Sequence, residues 1–420
     1  MGPPVQPVLA MDLPGVDPSL LALVSEEAAA MGIARVALVG GAVRDGLLHN
    51  HHCDPWRGCR DLDFVLEGDA VALAEALLLR LGPERVTRLQ THRSFGTAEL
   101  ELDGLLLDLA SARRETYPSP GANPVVTPGA LESDLERRDF SVNAMAMLLG
   151  ERSLEEALVD PHAGLFDLQA RELSFLHPGS VADDPTRVVR AARYATRLGF
   201  TLGLDGREQV ARCVESWPWP WRQGDPVASA PPALSTRLRM ELELLFEEKS
   251  WLHALQCLED WGAFPLLDPG LQTDPRRELR LRRAARLGLP LMAVFLLGAD
   301  DPLKVAERLQ LPLEQIRWLQ QAQEILCWLG SDEIRTRQLA WTPADWTEAL
   351  ERRGWSAEGI AFALVESEQH WRPLLRWWGR WRHLTASKSA KTLIAEGWTP
   401  GPELGAELRR SRRQLLENSR

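Results

Sequence analysis

Over the first 150 residues, apolar side chains come in short runs closed by turn signals: RVALVGG from residue 35, DLDFVLEG from 61 and TAELELDGLLLDLA from 97. Runs of this length and composition read as strands. Between them, residues 69–82 (DAVALAEALLLRLG) space their apolar positions as a helix does. The mixture predicts an α/β or α+β domain up to about Gly150. From about residue 151 the strand pattern vanishes and Leu- and Ala-rich helical periodicity takes over, broken by Pro and Gly, so the remainder is expected to be all helical. The segment SWPWPWRQGDPVASAPPA, residues 216–233, carries too many prolines for a helix and reads as a long loop between two helices. No internal repeat is visible, and most of the 16 tryptophans are expected in cores.

Length and composition narrow the class. A chain of 420 residues, 45% hydrophobic, has room for two to four domains. The N-terminus has no basic segment leading into an apolar run, and no stretch of about 18 apolar residues occurs. Neither export nor membrane spanning is indicated, and the cytoplasm is the expected compartment. The five cysteines (Cys53, Cys59, Cys213, Cys257 and Cys327) form no CxxC pair and read as reduced thiols, with no structural zinc. A net charge of −11 excludes a protein that coats nucleic acid indiscriminately. Basic clusters at 276–286, 371–383 and 409–413 still permit an RNA partner.

The chemistry concentrates at a few places. Asp61 and Asp63 stand two apart on an expected strand, so both side chains point to one face. Two carboxylates held together repel unless a cation lies between them, and Mg²⁺ suits such a pair because it also takes phosphate oxygens and water. Upstream, Gly40 and Gly41 end an apolar run and lead into a helix opened by Arg44 and Asp45. Glycines let backbone N–H groups approach an anion, and a helix N-terminus adds a positive field, so this is a candidate triphosphate cradle. It has neither the spacing nor the lysine of a Walker loop. Further on, Arg137 and Arg138 could hold phosphate, and Asp139 or Asn143 could bond a ribose hydroxyl. The helix expected after Asp183-Asp184-Pro185 gathers Arg187, Arg190, Arg193 and Arg197 within roughly 120° of arc, apart from an apolar face. Too few acids lie nearby in sequence to neutralise them, which favours an anionic ligand.

Taken in order, LVGGAVRDG from residue 38, RDLDFV from 60, DLERRDFSVNAMA from 134, DPHAGLFDL from 160, DDPTRVVRAARYATRLGF from 183 and STRLRMELELLF from 235 resemble the bacterial class II tRNA nucleotidyltransferases, relatives of bacterial poly(A) polymerases. The segment LIAEGWTPGPELGAEL from 393 resembles the family's C-terminal motif. The resemblance implies a DNA polymerase β-like head at 1–150, followed by an all-α neck at 151–265, body at 266–340 and tail at 341–420, the helical parts holding the tRNA acceptor arm. It implies that Asp61 and Asp63 are catalytic and carry Mg²⁺, that Gly40, Gly41 and Arg44 contact the triphosphate, and that Arg138 binds phosphate while Asp139 reads the ribose. Asp184 and Arg187 would pair with the base of incoming CTP or ATP, and Arg190 and Arg193 would complete the site. Asp183 stands where the family has Glu, and the interval between Asp45 and Asp61 is longer than usual, with three His and two Cys in residues 49–59, expected as a solvent loop. Asp108 is a candidate third carboxylate. Residues 111–135 look like the flexible loop needed for adding the final A, which points to whole-CCA or terminal-A addition. A phosphohydrolase signature is missing. A poly(A) polymerase or an inactive RNA-binding protein are the competing readings; the paired carboxylates speak against the second, and the oligomeric state stays open.

Overall fold

The computed structural model describes residues 9–151, 153–332, 334 and 341–419. Contacts divide the chain into two compact units: one running to Gly224 and including Pro231–Glu241 and Glu248–Ala263, the other made of Asp225–Ala230, Leu242–Glu247 and everything from Phe264 onward. Segments expected as head and neck fall in the first unit apart from those two short stretches and the last two neck residues, Phe264 and Pro265, and segments expected as body and tail fall in the second.

The first unit is built on a seven-stranded sheet whose spatial order is β3-β4-β5-β2-β1-β8-β9. The strands are β1 (Val36–Val39), β2 (Asp61–Leu66), β3 (Val86–His92), β4 (Thr97–Leu102), β5 (Leu105–Ser111), β8 (Ala146–Leu148) and β9 (Leu158–Val159). β2 and β5 run parallel, and the other pairs are antiparallel. Asp103 and Gly104, both at positive φ, turn β4 into β5, a two-residue hairpin of the kind Asp-Gly favours. β1 is buried along its whole length: Ala37 and Val39 cluster with Val65, Leu131, Leu135, Ala144 and Ala146, while Leu38 and Phe64 are enclosed as well. Each such Leu or Phe contributes about 1.5–3 kcal/mol of burial. Helix α1 (Pro18–Ala30) precedes the sheet, α2 (Gly41–His52) follows β1, and α3 (Ala70–Leu81), capped by the Asp69 carboxylate, follows β2.

Three expectations are corrected. Strand structure does not stop at residue 151: β9 extends the sheet, and β10 (Glu172–Leu173) pairs with β11 (Thr201–Leu202). These strands have two residues each, too few to show alternation in sequence. The 111–135 segment is a hairpin of β6 (Arg113–Thr116) and β7 (Val125–Pro128), followed by α4 (Leu131–Glu136). Its tip is seated: Gly121, at φ +75°, packs on Trp219 and Pro231 so tightly that a Cβ would fall 2.9 Å from the indole. The expected solvent loop at 49–59 is corrected in its first four residues, which are helical through His52; residues 53–59 are a loop with no buried residue, anchored where His49 contacts the Asp54 carbonyl at 2.9 Å and Asp54 pairs with Arg171. The 216–233 stretch is a loop as expected, yet Trp219 and Trp221 are buried.

From residue 154 the first unit is helical apart from β9 and the β10–β11 pair, with α5 (Leu154–Ala157), α6 (Gly164–Ala170), α7 (Ser180–Asp183), α8 (Thr186–Leu198), α9 (Leu204–Ser216), the start of α10 (Thr236–Glu247), and α11 (Trp251–Asp260). The second unit is all helical among its described residues. No helix among them is long and apolar enough to cross a membrane, and all five cysteines are free thiols.

Candidate active site

Register places the acids. Asp63 on β2 stands opposite Asp108 on the parallel strand β5, and Asp108 stands opposite Glu99 on β4. Three carboxylates therefore form a row across three neighbouring strands, with Asp61 one pleat further along β2. All three of the row line a cavity of about 870 Å³, together with Gly40, Gly41, Tyr117, Arg138, Asp139, Asn143, Asp184, Arg187, Arg190, Tyr194, Arg237 and Glu241. Burial first, then the charge of Asp61, pushes the Asp63 carboxyl up to about 6, against the pull of Arg138. Burial, Glu99 and Asp61 raise Asp108 as well, and Asp108 Oδ1 is enclosed without a hydrogen-bond partner.

Such a row is short of positive charge, and a hard divalent cation with oxygen ligands supplies what it lacks. Among the described residues, no three His, Cys, Asp or Glu side chains converge closely enough to hold an ion alone. An ion here would complete its shell with water and phosphate oxygens, as Mg²⁺ does.

Beside the acids, Gly40 ends β1 with φ 70° and ψ −135° and serves as the N-cap of α2 without any side-chain cap. A Cβ there would meet Asp63 Oδ2 at 3.1 Å, so both the dihedrals and the contact demand glycine. The first N–H groups of α2 lack a capping side chain and face the cavity wall that Gly40 and Gly41 form.

The arginines are less bare than their sequence neighbourhood suggests. Arg190 bonds Asp139 at 2.8 Å and Glu241 at 2.9 Å. Arg193 bonds Glu241 at 2.7 Å and Glu248 at 3.4 Å, and Arg197 is exposed. The expectation that acids are lacking is thus corrected for Arg190 and Arg193, because their partners come from elements about 50 residues away. Of the arginines that line the cavity, Arg187 alone keeps no carboxylate partner among the described residues: it is 4% exposed and donates only to the carbonyls of Ser180 and Arg137. Burial opposes the charge of Asp139, yet Arg190 and the Asn143 amide override it and hold that carboxyl below its ordinary range.

Two expected nucleotide contacts do not line the cavity. Arg44 is 2% exposed, forked onto Asp45 at 2.8 and 3.0 Å and bonded to Asn143 at 2.7 Å, while Arg193 stands behind Glu241. Both support the wall. Asp184, which does line it, accepts from the Thr186 backbone N–H and hydroxyl and from Arg237. Sequence reasoning missed Glu99, Glu241, Arg237 and the two tyrosines. A signal existed for the last: the chain has only two Tyr, and both line this cavity.

Paired acids on a strand beside a glycine-opened helix, backed by an arginine helix, define the class as a protein suited to bind a triphosphate together with divalent cations. Residues 36–174 match the Poly A polymerase head domain family. The chain is 39% identical over 282 residues to the CC-adding tRNA nucleotidyltransferase of Deinococcus radiodurans, covering 66% of this chain and 67% of that one. It is 37% identical over 240 residues to the A-adding tRNA nucleotidyltransferase of Aquifex aeolicus, covering 57% of this chain but only 26% of that longer protein. Among solved structures, an apo CCA-adding enzyme superposes with TM-score 0.71 at 26% identity over 96% of this chain and 93% of its own. The Thermotoga maritima CCA-adding enzyme complexed with tRNA gives 0.67 at 25% over the same shares. This chain belongs to the tRNA nucleotidyltransferase and poly(A) polymerase family.

Proposed function

We propose that the protein adds CCA, or its terminal A, to the 3′ end of tRNA from CTP and ATP without a nucleic-acid template, in the cytoplasm. The observation that carries this reading is the placement of an under-neutralised carboxylate row and the acid-free guanidinium of Arg187 in one cavity. Asp61 and Asp63, with Asp108 adjacent, are the residues that would hold Mg²⁺; when bound, that ion lowers the cost of charge on the attacking hydroxyl and the triphosphate. The backbone of Gly40 and Gly41 and the α2 N-terminus receive the triphosphate, and Arg138 adds a charged donor. Asp139, fixed by Asn143 and Arg190, accepts from the ribose hydroxyl. Asp184 and Arg187 present an acceptor and a donor fork to the base edge, so side chains stand where a template base would. Arg44 and Arg193 hold this wall from behind.

Terminal-A addition rests on the resemblance of residues 111–135 to the family's loop for that step; their hairpin lies beside the neck, with Gly121 N–H donating to the Asp183 carbonyl at 3.1 Å. The likeness to a CC-adding relative favours a second reading, in which synthesis stops after two cytidines. Purified protein given tRNAs ending before C74, after C74 and after C75, with CTP or ATP supplied separately, decides between them. Extension of the C75 substrate by one A supports the proposal; extension by CTP alone supports the second reading. A long homopolymer would make the protein a poly(A) polymerase, and no extension of any substrate would leave it an RNA-binding protein.

A further inference from the structure

The second unit holds a pocket of about 440 Å³ walled by Trp341, Trp346, Trp381, Pro343, Pro373, His370 and Arg376. Its size falls within the range of small-ligand sites. The rings are set at angles and not stacked on one another: Trp341 and Trp346 meet edge to face at 5.0 Å and 77°, and Trp346 and His370 are 6.0 Å apart at 47°. Trp381 is 3% exposed and closes the wall from the inner side.

Charge tells which occupant suits these faces. The basic clusters read from the sequence are mostly neutralised: Arg280 pairs with Asp274 and Glu366, Arg412 with Glu351, and Arg413 with Asp345 and Glu348. Arg286, Arg409 and Arg410 are exposed without a carboxylate partner among the described residues, but they lie away from the pocket lining, whereas the helix Trp371–Gly379 and its end carry such arginines up to it. Arg372, Arg376 and Arg380 recur every fourth residue, are exposed, and have no carboxylate partner among the described residues. Arg376 lines the pocket itself. A row of free guanidinium groups leading to an aromatic-walled pocket matches a ligand with a phosphate backbone and flat rings.

We infer that this pocket takes one unstacked base from a loop of the bound RNA, the arginine row holding the flanking phosphates. Sequence-tolerant stacking of splayed bases on aromatic side chains is how proteins grip single-stranded RNA. The inference rests on tRNA being the substrate, and its test separates the two. Full-length tRNAs carrying a single 2-aminopurine at successive loop positions are bound to the full chain. Quenching at one position is expected, lost in Trp341→Leu and Arg376→Gln, restored in Trp341→Phe, and accompanied in the first two by roughly ten- to hundredfold weaker tRNA binding. An acceptor-stem hairpin closed by an unrelated tetraloop should be extended equally by wild type and all three variants, which reports folding and head function independently of the pocket. Quenching unchanged in both Trp341→Leu and Arg376→Gln, or no quenched position at all, would overturn the pocket proposal; failure to extend any RNA would instead overturn the proposed function.

Discussion

Asp63 is held in a charge state that its own fold resists, and its replacement therefore separates function from stability. Burial and Asp61 raise its carboxyl from 3.8 to about 6, so the ionised form costs the metal-free protein on the order of 3 kcal/mol. Asp63→Asn should lower nucleotide incorporation by at least about 10³-fold while raising the melting temperature a few degrees in chelator. Added Mg²⁺ should stabilise the wild type and leave the variant unchanged; calorimetry with and without the ion checks both. Arg187 tests the opposite charge. Lysine there keeps the charge but loses the planar fork, so Arg187→Lys should retain binding of triphosphate and lose discrimination between CTP and ATP, measured as the ratio of kcat/KM values. Equal selectivity in wild type and variant would remove Arg187 from base reading. His177 offers a pH signature: burial, then the Arg187 charge, depress it below 6.5 despite Asp183. The unfolded chain therefore takes up the proton first as pH falls, and stability should decline from about pH 6.5 downward until the folded imidazole is protonated too. His177→Gln should flatten that decline in urea melts taken at successive pH values.

Where β1 meets α2, the chain needs a conformation that only glycine adopts readily. At φ 70° and ψ −135°, with Asp63 Oδ2 placed 3.1 Å from a would-be Cβ, Gly40→Ala should cost about 1–3 kcal/mol of stability and reduce incorporation by displacing Asp63. Gly199→Ala, at a positive φ but with open space around it, is the control that carries strain without touching the acids. This junction was legible in the sequence because an apolar run, two glycines and a helix start are all local signals. So were α3, the β4–β5 turn and the shared face of Asp61 and Asp63. The partners of α8 were not legible: Asp139 and Glu241 each lie 51 residues from Arg190, and no local pattern announces a contact that tertiary packing creates. Nor could the 113–128 hairpin be read, since four-residue strands rich in Arg, Thr and Pro lack an alternating apolar face.

The same limit governs the distribution of charge. A net charge of −11 and three basic clusters were plain in the sequence, but which arginines remain available to RNA depends on acids supplied from distant segments, as with Arg412 and Glu351, 61 residues apart. Among the described residues of these clusters, pairing leaves Arg372, Arg376 and Arg380 uncovered on one helix, with Arg286, Arg409 and Arg410 uncovered elsewhere, in a protein of net charge −11. RNA affinity should then depend on few contacts, and salt measures their number. Each neutralised phosphate adds about 0.7–0.9 to the steepness of log K against log salt, so three contacts from this row contribute roughly 2–3. Replacing all three arginines by glutamine should flatten the plot of tRNA affinity by that amount without altering the melting temperature by more than about a degree, since exposed unpaired arginines add little to stability. A slope that does not change would mean that the phosphates are met by other residues and that the row is a solvated helix face.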